Sequence, residues 1–239
     1  MTTAYKFTKV FIECIVATAA FALIAMFGFS TVEPIITSAQ AATTTSQFTT
    51  KQTITSEISF LTAASNIVLS PSIGGITGGA ATGTTQVVVY TNNTTGYTMT
   101  IAASGTVQAM RGDTATTSYI NNYTPAGGVP DFTFTTGGAG TSAKFGFTVS
   151  ASSTADLAQK FLDNGTTCNT GAADTNGGAS CWTYASSTAT STIVTAGASL
   201  VSGSTSTIFM HTFVPPNPNP ALPKDTYTAT TTLTAVTNP

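Results

Sequence analysis

Two cysteines, Cys168 and Cys181, enclose the stretch "TTCNTGAADTNGGASCW" (166–182), where Asp174 and Asn176 stand between them and Trp182 follows directly. These residue types and this spacing admit three chemistries: a metal loop, a redox pair or a covalent staple. Zinc needs about four Cys or His ligands, but the chain has no C-x-x-C and only one histidine, His211. Redox pairs are normally close in sequence, as C-x-x-C. "DTNG" (174–177) resembles the opening of a calcium loop, with Asp174 and Asn176 as its oxygen donors, but lacks the later Glu that completes one. The staple is the expectation, and Cys168 and Cys181 are expected to form a disulfide. It would restrain a glycine-rich segment with little apolar content of its own.

No catalytic set stands out. Without a second histidine, any Ser-His-Asp triad would need His211, which shares a strand face with Phe209 and Phe213 and reads as packed. Asp113, Asp131, Asp156, Asp163, Asp174 and Asp225 could in principle pair as in a glycosidase, yet each falls in a turn or helix-cap context where Asp is expected anyway. "GGITGG" (74–79) has no following Lys-Ser/Thr and reads as a surface connection, not a phosphate loop. The chain is expected to be no enzyme and to need no cofactor. The binding signal left is aromatic: Tyr119, Tyr123, Trp182 and Tyr184 fall in irregular regions, and broad rings suit sugar faces. The alternative for Trp182 is packing on the disulfide.

The elements that must position these residues follow from composition and pattern. Only 7% of the 239 residues are charged, against about 25% in an ordinary domain. Threonine is the commonest residue, and 41% of the chain is hydrophobic. Threonine is β-branched and fits a pleated surface, which implies an all-β protein coated with hydroxyls. Lys51, Arg111, Lys144, Lys160 and Lys224 are scattered and the net charge is −2, so nucleic acid is excluded as a partner.

Strand patterns fall at 53–60, 65–70, 84–91 and 97–104, the last two predicted as a hairpin across "NNTTG" (92–96), with a glycine-rich loop at 71–83. A second hairpin is predicted from 131–136 and 144–150. "STADLAQKFLDNG" (153–165) carries a helical signal, with Ser153 or Thr154 as cap, Asp156 in the first turn and Gly165 as stop. Strands at 205–214 and 226–236 flank a proline-rich crossover (215–223). The expected fold is an all-β, antiparallel two-sheet sandwich of immunoglobulin-like or surface-domain type. One domain spans 42–239, with a helix and disulfide loop inserted at about 151–185.

The first 41 residues read as an export signal or a membrane anchor. Lys6 and Lys9 precede an apolar run from Val10 to Phe29, and Ala39-Gln40-Ala41 is a small-x-small cleavage site. The run is also long enough to span a bilayer. "KVFIECIVATAAFALI" resembles the start of a type IV pilin helix, where a Glu such as Glu13 helps subunits dock, although Thr8 stands where a small residue precedes pilin cleavage. The membrane is expected as a partner only through this segment.

"LSPSIGGITGG", "VVVYTNNTTGYTMTI", "NGTTC…CW" and "LPKDTYTATTTLTA" together resemble exported Thr/Ser-rich surface proteins of candidate-phylum bacteria. More distantly, "NNTTGYTMTI" resembles the core of W-x-L-type cell-surface domains. The chain departs from these in having Lys224-Asp225 before the last strand and no W-x-L tripeptide. The resemblance implies a location at the cell surface or outside the cell, and no enzyme activity. Together these readings predict a non-enzymatic structural or adhesion protein, with itself (through strand exchange into a filament) or a cell-surface glycan as partner. The alternative is a carbohydrate-binding module that uses Trp182 and the nearby tyrosines.

Overall fold

Alternation of apolar and hydroxyl side chains decides most of the strands. In "TTQVVVYT", Thr85, Val87, Val89 and Thr91 are buried while Thr84, Gln86 and Tyr90 face water, the period-2 signature of a half-buried strand. The computed structural model describes residues 44–104, 108–136, 140–175 and 180–239. The expected N-terminal hydrophobic helix and the Ala39 and Ala41 cleavage site lie outside them. The chain divides into Met1–Gln52 and Thr53–Pro239. In the first unit, residues 44–52 are exposed and carry no strand or helix.

The second unit holds β1 (Ile58–Thr62), β2 (Gly79–Thr91), β3 (Tyr97–Ser104), β4 (Gln108–Gly112), β5 (Tyr119–Asn122), β6 (Lys144–Ala151), β7 (Ser191–Ala196), β8 (Leu200–Val214), β9 (Tyr227–Thr228) and β10 (Thr230–Thr237). They form a seven-stranded sheet, β1-β2-β8-β6-β5-β4-β9, and a three-stranded sheet, β10-β3-β7. Val87, Val89, Phe145, Phe147, Val149, Ile208 and Met210 of the large sheet share one hydrophobic cluster with Tyr97, Met99, Ile101, Ile193 and Val194 of the small one. The fold is therefore all-β with two sheets, as the pattern implied.

The expected strand at 65–70 is absent, Ser70 alone making a single bridge to Thr82, and elements and pairing differ from expectation in four further places. First, β2 and β3 do not form a hairpin; they belong to different sheets. The NNTTG corner between them is clasped by Asn238, whose Nδ2 donates to Thr95 O (2.7 Å) and Ala196 O (2.9 Å) and whose O accepts from Asn93 Nδ2 (2.7 Å). Placing the two strands in separate sheets lets the inward faces of both enter the same core.

Second, 131–136 is not a strand. The Asp131 carboxylate accepts the Thr133 N–H at 2.9 Å, an Asx-type bond that favours a turn over an extended chain. A 3-10 turn, Thr133–Thr136, follows. Third, β6 therefore pairs with β8 antiparallel and with β5 in parallel, so the large sheet is mixed, not purely antiparallel.

Fourth, the expected helix over 153–165 is absent. Only two 3-10 turns form there, Thr154–Asp156 and Gln159–Phe161. Tertiary partners take the amides a helix would use: Ala158 N–H donates to Ile193 O (3.0 Å) and Asp163 N–H to Ala173 O (2.8 Å). Local propensity yields to these long-range bonds. Leu157 and Phe161, spaced as on a helix face, are still buried.

On the opposite face of β6 and β8 lies a smaller aromatic cluster. Gly146 and His211 are register partners. Phe134 covers both: a Cβ on Gly146 would meet the Phe134 ring at 3.0 Å and Thr183 O at 2.7 Å, and the Phe134 and His211 rings stand 4.6 Å apart. Tyr123 stacks on Phe134 at 4.2 Å and Trp182 meets it edge-on at 5.9 Å. Gly146→Ala should therefore cost about 1–3 kcal/mol by overpacking. Thermal unfolding should show the loss, and emission of the single tryptophan should shift with it. Wild-type stability in this variant would mean that the cluster does not close over Gly146.

Candidate functional site: the disulfide loop and the adjoining cleft

The disulfide forms: Cys168 and Cys181 are bonded, with Cα atoms 5.5 Å apart and a sequence separation of 13. Both are buried in the main cluster. Closing a loop of this length restricts the unfolded chain by about 3 kcal/mol in the chain-entropy view. The loop also has a polar centre at a residue whose sequence context predicts only a turn. Asp163 is 1% exposed, and its carboxylate accepts from Gly165 N (2.7 Å), Thr175 N (3.3 Å), Ser180 Oγ (3.2 Å) and the Thr175 hydroxyl. Burial alone would raise its pKa, but these donors together hold it below the ordinary carboxylate value. Asn164 caps the same turn, accepting from Thr166 N (3.1 Å) and Thr167 N (2.9 Å).

Of the proposed calcium donors, Asp174 is half-buried and Asn176 lies outside the described residues. Among the described residues no three His, Cys, Asp or Glu side chains gather as a metal site.

Beyond Cys181 the chain is sewn to the large sheet. Trp182 exchanges two backbone bonds with Asp131 (2.8 and 3.2 Å), and Thr183 exchanges two with Phe147 (2.7 and 2.9 Å). This fixes the aromatic residues singled out above. Trp182 and Tyr123 are 5% and 6% exposed, so neither is a free surface ring. Trp182 packs in the aromatic cluster with Phe134 and His211, not in the cluster that holds the disulfide. The Tyr123 hydroxyl donates to Asp131, and burial followed by this bond raises its pKa. Tyr119 is half-buried on β5, paired with Arg111 of β4.

Tyr184 is different. It lines an open cleft of about 510 Å³ together with Pro130, Lys160, Ser186, Thr190 and Ser191. The four aromatic residues thus do not converge on one surface. Lys160 enters the cleft from the Gln159–Phe161 turn, which is anchored by the buried Phe161 ring 5.8 Å from Phe147. Lys160 Nζ donates to Ser191 Oγ at 2.5 Å and stands 5.2 Å from the Phe161 ring centroid. Burial lowers its pKa. In the sequence Lys160 is only one of several scattered cations, and no local motif marks it.

No protein-family model matches the chain, and no curated protein emerges as its relative.

Two substitutions test how the loop is ordered. Cys168→Ser should cost about 2–4 kcal/mol. Asp163→Ala strands the Gly165, Thr175 and Ser180 donors and should cost about 2–4 kcal/mol as well. Because both order one loop, the double variant should lose less than the sum. Strict additivity in urea unfolding would show the staple and the carboxylate to be independent.

The pH dependence separates two groups. The folded chain holds Asp163 below its unfolded value, so its contribution is full above about pH 4 and is lost as pH falls through the folded value. Burial holds His211 below the ordinary imidazole value too. Below about pH 6.5 the unfolded chain binds a proton there that the folded chain resists, and stability falls. Stability against pH should therefore drop in two steps, and His211→Asn should remove only the upper one. A flat profile from pH 7 to 5 in the wild type would contradict this.

Proposed function

We propose that the chain is an exported cell-surface protein with a structural or adhesive role, its β-rich body being a two-sheet sandwich of surface-domain type. The observation that carries this reading is the Cys168–Cys181 disulfide. Disulfides persist in oxidising compartments and are rare in reducing ones. The Lys6, Lys9 and Ala39-Gln40-Ala41 pattern supports the same reading from sequence, as does a surface that carries hydroxyls in place of charges. The aromatic surroundings of His211 favour packing over catalysis.

Self-assembly is part of this reading. β1 is an edge strand on which only Ile58 and Phe60 are half-buried, so a neighbour's copy of the same segment can take its place while the rest of the core stays as it is. Within the chain, Asn92 grips the lead-in to β1, accepting from Glu57 N (2.7 Å) and donating to Thr55 O (3.0 Å). A form starting at Ala64 separates the two cases. If exchange operates, mature protein forms fibres in electron microscopy, while the trimmed form stays monomeric and binds a peptide of residues 47–62. Monomers from both forms, or rejection of the peptide, would leave β1 as an intramolecular strand.

A second reading, a carbohydrate-binding surface module, draws on the cleft. Tyr184 offers a half-buried ring beside the hydroxyls of Ser186, Thr190 and Ser191, the mixture of apolar face and polar rim that a sugar needs. Tyr184→Ala should abolish glycan-array signals while circular dichroism stays native. No signal from wild-type protein at millimolar glycan would end this reading. Trp182→Ala is an unsuitable test, because Trp182 is buried.

A further inference from the structure

The cleft beside Tyr184 holds a cation with no counter-ion. Among the described residues Lys160 has one polar partner, the neutral hydroxyl of Ser191 at 2.5 Å, and no carboxylate pairs with it. A lysine ammonium carries three donors, so two stay available to a ligand. The Phe161 ring lies near enough to support the positive charge. Lys160 is also half-buried, anchored from below by the 1% exposed Phe161 and held from the side by the first residue of β7. Its direction is thus set by packing, unlike that of a solvated surface lysine. The rest of the lining is neutral, a mixture of hydroxyl-bearing side chains with small apolar ones and Gln159.

We propose that this cleft selects acidic oligosaccharides, with Lys160 receiving a sugar carboxylate and Tyr184 supplying a ring to the neighbouring sugar. This rests on the carbohydrate reading and narrows it to one class. A partly desolvated cation strengthens a charge-assisted bond to a carboxylate. A protein with net charge −2 does not attract polyanions by its overall field, so discrimination has to come from this local charge. The hydroxyls of Ser186, Thr190 and Ser191 then serve the neutral parts of the ligand.

The test compares four probes by calorimetry on the mature protein: a short oligogalacturonate, a neutral galactan oligomer of equal length, polyglutamate and inorganic phosphate. Oligogalacturonate is expected to bind about ten-fold or more tightly than the neutral oligomer, the scale of one charge-assisted bond. Lys160→Gln, which keeps a donor and loses the charge, should bring the two sugars level. Lys160→Arg should restore most of the preference. Added salt should weaken the acidic sugar and leave the neutral one unchanged. This salt readout needs no variant and stands even if one fails to fold.

Equal binding of acidic and neutral sugars, insensitive to salt, would overturn the acidic selection and leave the carbohydrate reading intact. Polyglutamate or phosphate binding as tightly as oligogalacturonate would show an anion site without sugar recognition and overturn the carbohydrate reading. No binding of any probe would overturn both.

Discussion

The exchange of two backbone hydrogen bonds between Phe147 and Thr183 is where the disulfide loop, both hydrophobic clusters and the cleft meet. Phe147 packs inward against Phe161, whose turn carries Lys160. Its neighbour Gly146 lies under Phe134 on the opposite face. Thr183 lies between Trp182, which fills the aromatic cluster, and Tyr184, which lines the cleft. If that bridge opened, the segment leaving Cys181 would lose its register, the Trp182–Asp131 pair would lose its anchor, and Tyr184 would no longer face the Lys160 side of the cleft from a fixed strand edge. Backbone groups shielded from water must keep their partners, and both residues of this bridge are buried.

What was legible in the sequence follows from locality. The disulfide was legible because Cys168 and Cys181 enclose a glycine-rich stretch whose residues supply neither a zinc ligand set nor a C-x-x-C pair. Where period-2 alternation is clear the strand was legible, because that signal is local: Tyr97–Ser104 has the bounds the pattern gave it, whereas β4, β5 and β7 went unread and neither 65–70 nor 131–136 is a strand. Pairing was not, because it is decided far away in sequence. NNTTG reads as a hairpin turn until Asn238, more than 140 residues later, clasps it. The helix over 153–165 failed for the same reason. The 157/161 spacing and the Ser153 cap are local signals, whereas the Ala158–Ile193 and Asp163–Ala173 bonds that displaced it are not.

For the aromatics singled out in the sequence, whether a ring is buried depends on surroundings that no local pattern shows. Trp182 and Tyr123 meet Phe134 and sink. Tyr184, two positions past Trp182, stays at the cleft. Asp163 was obscured by its context: a carboxylate before Asn-Gly looks like a turn former, and that it gathers Thr175 and Ser180 is visible only once the disulfide has closed the loop.

A chain with 7% charged residues meets its electrostatic demands in a particular way. Asp131, Asp163 and Asp225 take their donors from amides and hydroxyls. Asp131 accepts from Thr133 N and the Tyr123 hydroxyl, Asp163 from the disulfide loop, and Asp225 from Thr114 N, Ala115 N and Thr226 N. The amide bonds at Asp225, from Ala115 first, hold its carboxyl low. A carboxylate satisfied by several N–H groups needs no lysine. On the exposed surface that has little consequence, because water solvates a free ammonium. In a half-buried position against Phe161 water is partly excluded, and an ammonium whose one polar neighbour is a serine hydroxyl is left under-solvated. Satisfying carboxylates with threonine hydroxyls and backbone amides thus leaves Lys160 without a carboxylate among the described residues, and a half-buried ammonium in that position favours an anion.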